Sequence, residues 1–209
     1  PMSTTARRAQ SENKKALLRE DSIRRLTEAA VRLIVAKGYH ASTLQEIADG
    51  AITLDVVGPA RDEASRSAMA AGAAEGVLVW HGFQPADRAM AMVDGALAGL
   101  ALLRDLPNYR GSMPTKVVEY LAHGVPAITT PLPLAEEIVL EARAGAVVPF
   151  DDPEATAEAV LRLWRDPAEA AAMGRRGRDL VRGRYDWAKG GADFVTELTR
   201  IASERSPRR

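Results

Sequence analysis

The segment Gly111-Ser112-Met113-Pro114-Thr115-Lys116, with Glu119 one turn further on, is the part of this 209-residue chain whose residue types and spacing could do chemistry. A small-residue turn runs into Pro114 and Thr115 and opens a helix. The first-turn N–H groups of a helix have no intrahelical partner, and the positive end of the macrodipole lies there. That setting suits a phosphate, to which Lys116 would add a full charge. Glu119, on the same helix, is placed to accept hydrogen bonds from sugar hydroxyls. The three-residue spacing of Lys116 and Glu119 equally describes an ordinary surface ion pair, and the residues alone leave both readings open.

Composition narrows the chemistry. The chain has no cysteine, so a disulfide framework, a zinc ribbon and thiol catalysis are excluded, and His40, His81 and His123 are too isolated to suggest a metal site. The longest apolar stretch, 96–103, falls far short of the roughly 20 residues that span a bilayer. Residues 1–20 are charged and polar and do not read as a secretory signal; the expected location is cytoplasmic, with the inner face of the membrane as a peripheral site. Lys and Arg number 28, as do Asp and Glu, but the balance is uneven. Residues 1–50 carry 9 basic and 6 acidic side chains, net +3, and the rest carry 19 and 22, net −3.

The charge seam coincides with a change in texture. Residues 1–20 lack an apolar period and read as a mobile basic arm. Ile23, Leu26, Ala30 and Leu33 then recur at helical steps and predict a helix over 21–37, ended by Gly38. Thr43 with Glu46 forms a capping box and predicts a short second helix over 43–50. Beyond Gly50, apolar runs at 52–57, 76–80, 97–103, 126–130 and 146–149 alternate with helical patterns at 61–71, 85–93, 114–122 and 134–144. Asp152-Pro153 opens helices that fill most of 153–182 and 187–203. The expectation is an α/β fold, a Rossmann-like doubly wound parallel sheet over 51–209, preceded by a short helical segment at 21–50. Such sheets bind ligands outside the carboxyl ends of their strands. That brings the turns Gly58-Pro59, His81-Gly82-Phe83, 104–113 and 129–133 forward as site loops.

The run Pro114-Thr-Lys-Val-Val-Glu-Tyr-Leu-Ala-His-Gly-Val-Pro-Ala-Ile-Thr-Thr130 resembles the donor-site segment of family 4 glycosyltransferases of the GT-B fold. Leu54-Asp-Val-Val-Gly58, Val79-Trp-His-Gly82, Glu137-Ile-Val139, the 152–160 segment, Met173-Gly-Arg-Arg-Gly-Arg178 and Arg184-Tyr-Asp-Trp187 agree with it in order and spacing, covering about 54–190. The resemblance implies a domain that binds a nucleotide diphosphate sugar. Glu119 would hold the ribose, the amides around Ser112, Met113, Pro114 and Thr115 would face the diphosphate and donor sugar, and the His81-Gly82-Phe83 loop would lie against the base. The sugar would pass to an acceptor hydroxyl on a glycan or lipid-linked acceptor. No metal or separate cofactor is implied, and rate would come from electrostatic stabilisation of the diphosphate leaving group. This sequence departs from the family at Gly111, where many members carry a second glutamate, so the direct carboxylate contact to the donor sugar is missing. The resemblance also implies an acceptor-binding half not present in these residues, for which a partner chain is one source, and hence little turnover by this chain alone.

Residues 22–50 admit two further comparisons. The pieces 27–33, Lys37-Gly-Tyr39 and 41–48 resemble the first helices of a TetR-type helix-turn-helix regulator, but a β-branched run stands where the recognition helix would follow, and nucleic acid is an unlikely partner. Arg32 and Lys37-Gly38 alternatively match the spacing of the arginine and lysine that hold the diphosphate in family 4 transferases. A non-functional fusion of two unrelated pieces near residue 50 is the remaining alternative. Elsewhere the ordinary readings are local: His81 and His123 satisfying loop hydrogen bonds, Glu136 and Glu137 favouring a helix N-terminus, Trp80, Trp164 and Trp187 packing, and Arg175, Arg176 and Arg178 forming a solvated face.

Overall fold

The computed structural model describes residues 42–46, 52–60, 62–74 and 78–205, the first of these segments as backbone alone. The expected basic arm, the helix over 21–37, and with them Arg32, Lys37 and His40, lie outside the described residues. In chain order the strands are β1 (Ser42–Glu46), β2 (Ile52–Val56), β3 (Leu78–Trp80), β4 (Ala98–Ala101), β5 (Ala127–Thr129) and β6 (Gly145–Val147). The helices are α1 (Glu63–Ala74), α2 (Ala86–Ala91), α3 (Pro107–Arg110), α4 (Thr115–Ala122), α5 (Pro133–Ala142), α6 (Pro153–Arg165), α7 (Pro167–Arg184) and α8 (Trp187–Arg205).

The strands form one sheet in the order β3-β2-β1-β4-β5-β6. Strands β2 to β6 all run one way, with parallel pairing of β2 with β3, β4 with β5 and β5 with β6. β1 runs against both of its neighbours. One expectation is corrected here. The capping-box helix over 43–50 is instead, at Ser42–Glu46, a strand. A short helix would leave the facing edges of β2 and β4 unpaired, whereas a strand in that gap satisfies backbone groups on both sides, and this overrides the local capping signal. The parallel sheet expected over 51–209 is present in β2 to β6, and β1 adds an antiparallel strand to it: residues 47–51 are the only link from β1 to β2, far shorter than the dozen or more residues of a parallel crossover, so that pair must be antiparallel.

Residues alternate between the two faces of the sheet. Ala98, Leu100 and Ile128 point into one apolar cluster with Leu54, Val56, Met69 and the α6 residues Val160 and Leu161. Ala127 points the other way, into a cluster with Val117, Tyr120 and Leu121 of α4 and Ile138 and Val139 of α5. On that second face the strands carry small residues, and α4 comes very close. A Cβ added at Gly99 would fall within the ring of Tyr120, whose hydroxyl donates to the Leu100 carbonyl at 3.3 Å. Fully burying side chains of this size stabilises by about 1.5–3 kcal/mol each, and Val117, Tyr120 and Leu121 are all at most 1% exposed.

The far end of α4 is also fixed. Gly124, at φ 73°, closes a Schellman motif in which its N–H meets the Leu121 carbonyl and the Val125 N–H meets that of Tyr120. α7 crosses this end through Gly174, where an added Cβ would strike the Gly124 carbonyl, and Gly177, where it would press on Leu121. The Arg178 guanidinium donates to the His123 carbonyl at 2.6 Å, a cation at a helix C-terminus. Two sequence readings change accordingly. Arg178 is half-buried, and Arg176 bonds the Arg143 carbonyl and Glu169, so of the three arginines Arg178 leaves the solvated face and Arg176 is held on it by partners. Trp187 is 79% exposed instead of packed. With Phe194, Leu198 and Ile201 it repeats at helical spacing along α8, a face that nothing among the described residues covers.

The glycine contacts give a paired test on one helix. Gly174→Ala should cost about 1–3 kcal/mol by overpacking against backbone, lowering the melting temperature by about 3–10 °C for a chain of this size. Gly183→Ala, with nothing within 4 Å of the added atom, should be neutral or stabilise by up to about 1 kcal/mol. Thermal unfolding of both variants measures the difference.

Candidate functional site

The carboxyl ends of β4 and β5 open onto a pocket of about 260 Å3. β4 leads into a loop whose single turn of helix, α3, delivers Gly111 and then α4. The buried Thr129 and Thr130 at the end of β5 donate to the carbonyls of Ala101 at 3.2 Å and Leu103 at 2.6 Å, which pins the exit of β4. Leu103, Tyr109, Met113, Val117 and Leu132 supply apolar wall, and Ser112, Thr115, Lys116 and Thr129 supply polar groups. Five of the predicted residues, Ser112, Met113, Pro114, Thr115 and Lys116, thus line one cavity.

The loop is built before any ligand arrives. Arg110 donates from Nε and Nη2 to the two carboxylate oxygens of Asp105, each at 2.7 Å. The Arg110 guanidinium holds the Asp105 carboxyl below the usual range, chiefly through this side-chain hydrogen bond, and Arg110 is raised in return. The Ser112 hydroxyl donates to the Asn108 carbonyl at 2.5 Å and its amide to the Tyr109 carbonyl at 3.1 Å. No side chain caps α4, and the amides of Lys116 and Val117 meet no acceptor among the described residues. They and the helix dipole face the strand ends. Gly111 sits at φ −101° with open space around an added Cβ, so sterics alone do not demand glycine there.

Lys116 Nζ meets Glu119 Oε2 at 2.7 Å, with both side chains about one-third exposed. The ion pair read from their spacing is therefore present. Glu119 stands beside the pocket and is not part of its wall. Gly82 and Phe83 lie on the same edge of the sheet, beyond β3. Three strand spacings separate β3 from β4, about 14 Å, a distance an extended nucleoside diphosphate bridges. Phe83 is 74% exposed. Behind it, Gly58 N–H donates to the Gly82 carbonyl at 2.8 Å, His81 N–H to that of Val56 at 3.0 Å, Trp80 Nε1 to that of Gly58 at 3.0 Å and Gln84 Nε2 to that of His81 at 2.7 Å. Positive φ at Gly58 and Gly82 lets the two turns meet.

Sequence reasoning passed over Asp55. It is 7% exposed in the middle of β2, and its Oδ1 lies 2.5 Å from His81 Nε2. The available signal was a lone charge inside the apolar run Ile52-Thr-Leu-Asp-Val-Val57. His123 lies at the opposite end of α4 from the pocket, paired with Asp94 at 2.7 Å. Glu137 lies 3.5 Å and Glu141 2.5 Å from Arg184, an α5–α7 contact. Among the described residues no helix is long and apolar enough to cross a membrane.

The sequence model described as "Glycosyl transferases group 1" matches residues 14–166 and so runs across the charge seam at residue 50. A GDP-mannose-dependent α-(1-6)-phosphatidylinositol monomannoside mannosyltransferase of Mycolicibacterium smegmatis is 31% identical over 159 residues, 74% of this chain and 41% of that protein. Among solved structures, sucrose-phosphate synthase from Thermosynechococcus elongatus aligns with a TM-score of 0.59 at 21% identity, over 73% of this chain and 39% of that one. Anabaena HepE in complex with UDP and glucose aligns with a TM-score of 0.57 at 16% identity, over 70% and 40%. The chain spans about two fifths of the length of each of these relatives. Its fold is the Rossmann-like α/β half of a GT-B glycosyltransferase, and the chain belongs to the group 1 glycosyltransferase family.

Proposed function

We propose that this α/β unit is the donor-binding part of a glycosyltransferase, holding a nucleotide diphosphate sugar while the glycosyl group passes to an acceptor hydroxyl. The observation that carries the reading is the amino end of α4. Unpartnered amides of Lys116 and Val117, the Lys116 ammonium and the Glu119 carboxylate stand together at the strand ends, beside a cavity. A diphosphate placed there would take the amides and draw Lys116 away from Glu119, freeing the carboxylate to accept from ribose hydroxyls. Phe83 offers an exposed ring to the base at the other end of the same edge. Arg32 and Lys37 are proposed as further phosphate ligands from their spacing alone.

As negative charge develops on the departing diphosphate, fixed N–H dipoles and an ammonium stabilise it without reorganising. That is the contribution this chain's residues make to the reaction. The relative from Mycolicibacterium uses GDP-mannose and acts on a phosphatidylinositol monomannoside. By that analogy a lipid-linked glycan is the acceptor class proposed here, met at the cytoplasmic face of a membrane, with the acceptor-binding half supplied by another domain or chain.

Two measurements follow. Calorimetry with UDP, GDP and ADP should find a nucleotide that binds the wild-type chain, and Glu119→Ala should weaken it by about 10- to 100-fold, the loss of hydrogen bonds to a charged group; no heat with any of the three would overturn the donor-site reading. The Asp105–Arg110 clamp predicts a pH response of the loop. Because the folded-state pKa of Asp105 is lowered, its contribution is complete above the ordinary carboxylate value near pH 4 and is lost as pH falls through the lowered value. Amide exchange of Ser112, corrected for intrinsic rate, should therefore stay protected from neutral pH to about pH 4 and accelerate below it, and Asp105→Asn should show the faster exchange already at neutral pH.

A further inference from the structure

Asp55 is the one buried charged residue among the described residues. For stability alone its position on β2 would be served as well by valine or leucine, since apolar replacement of buried charge pairs is often neutral or stabilising. Its flanking residues Leu54 and Val56 are core. The carboxylate is spent on one side chain: Asp55 lies opposite Val79 in the β2–β3 register, so His81, two residues beyond Val79, is its diagonal neighbour on the same face. An ionised carboxylate can only accept, so His81 Nε2 carries the shared proton, and the ring is held in one tautomer and one orientation. His81 is the residue from which the turn to Gly82 and Phe83 starts. Gln84 holds the same residue's carbonyl from the far side of that turn.

We propose that Asp55 and His81 form a positioning pair that sets the Gly82-Phe83 turn as the platform for the nucleotide base. This rests on the donor-site reading above and adds to it the residues that decide where the base is met. Strand β2 is a rigid, doubly paired element of the sheet, whereas β3 is a three-residue edge strand. Anchoring the His81 ring to β2 transfers the rigidity of the inner strand to an exposed aromatic at the rim. The pair acts through the platform, so its effect falls on ligands that carry a base and spares those that carry phosphate alone.

The test uses the whole 209-residue chain, the nucleoside diphosphate among UDP, GDP and ADP that binds wild type best, and inorganic pyrophosphate as the probe without a base. His81→Ala and Asp55→Asn should each weaken the nucleotide by about tenfold, in line with Phe83→Ala, with pyrophosphate unchanged within about twofold. The double variant should be no worse than either single one, as for residues that act as a unit. His81→Gln, whose amide N–H can reach the same carboxylate, should recover much of the loss. Nucleotide binding unaltered in both His81→Ala and Asp55→Asn would overturn the pairing while leaving the donor site intact. Equal weakening of nucleotide and pyrophosphate, with a lowered melting temperature, would assign the pair to folding alone and also overturn it. A wild-type chain that binds pyrophosphate but no nucleotide would defeat the donor-site reading first.

Discussion

The contact of Tyr120 with Gly99 is the constraint on which the arrangement depends. A helix can lie this close to a sheet only where the strand beneath it has no side chain, and Gly99 in β4 provides that opening. The ring is 1% exposed and its hydroxyl reaches the Leu100 carbonyl, so both the height and the rotation of α4 are set by one residue. Rotation matters because Lys116 and Glu119 are on the same helix, and their direction follows from that of Tyr120. The Gly174 and Gly177 crossings and the Arg178 hydrogen bond hold the carboxyl end of α4 in the same way. The helix is fixed along its body and at its far end, and its amino end is left without a cap.

That uncapped end contrasts with the helices on which a carboxylate does the capping, while α2, α3 and α5 also begin without a side-chain cap. Asp152 caps α6 through the Ala155 amide, Asp166 caps α7 through that of Glu169, and Asp62 performs the same service for Ser65 in α1. α4 instead begins at Pro114 with no side-chain acceptor, and its amides face a cavity. Leaving N–H groups unpaired costs stability unless water or a ligand meets them. The open start of α4 lies at the strand ends beside the cavity, where the Asp105–Arg110 clamp shapes the adjoining loop.

The reversed β1 gives the sheet an unusual centre. The strand order is that of a doubly wound fold, yet its middle strand enters from the edge where the other five end, with Ser42 opposite Val56 and Leu100. Strand directions on either side are unaffected, so the carboxyl ends of β2 to β6 still share one edge and the β3 and β4 loops still face the same side. The site depends on that shared edge, and a connection of only residues 47–51 between β1 and β2 is compatible with it.

What the sequence determined by itself was local and periodic. The apolar runs after residue 50, the Asp152-Pro153 helix start, the glycine and proline turns, and the Pro114-Thr-Lys…Glu119 segment were legible because each is a short-range pattern with its own physical cause. They were enough for the α/β class, the family and the segment that lines the pocket at the ends of β4 and β5. The Thr43–Glu46 capping box was legible too and misled, since the demand of two unpaired strand edges outweighs a short helix. Trp187 misled in the opposite sense, because an apolar stripe specifies a face and not what covers it. Only the tertiary structure decided that Asp55 meets His81, that Arg178 closes α4 and that Gly111 has room for a side chain. Each of these joins residues far apart in the chain or depends on the space around them, and spacing along a sequence carries no information about distance across a sheet.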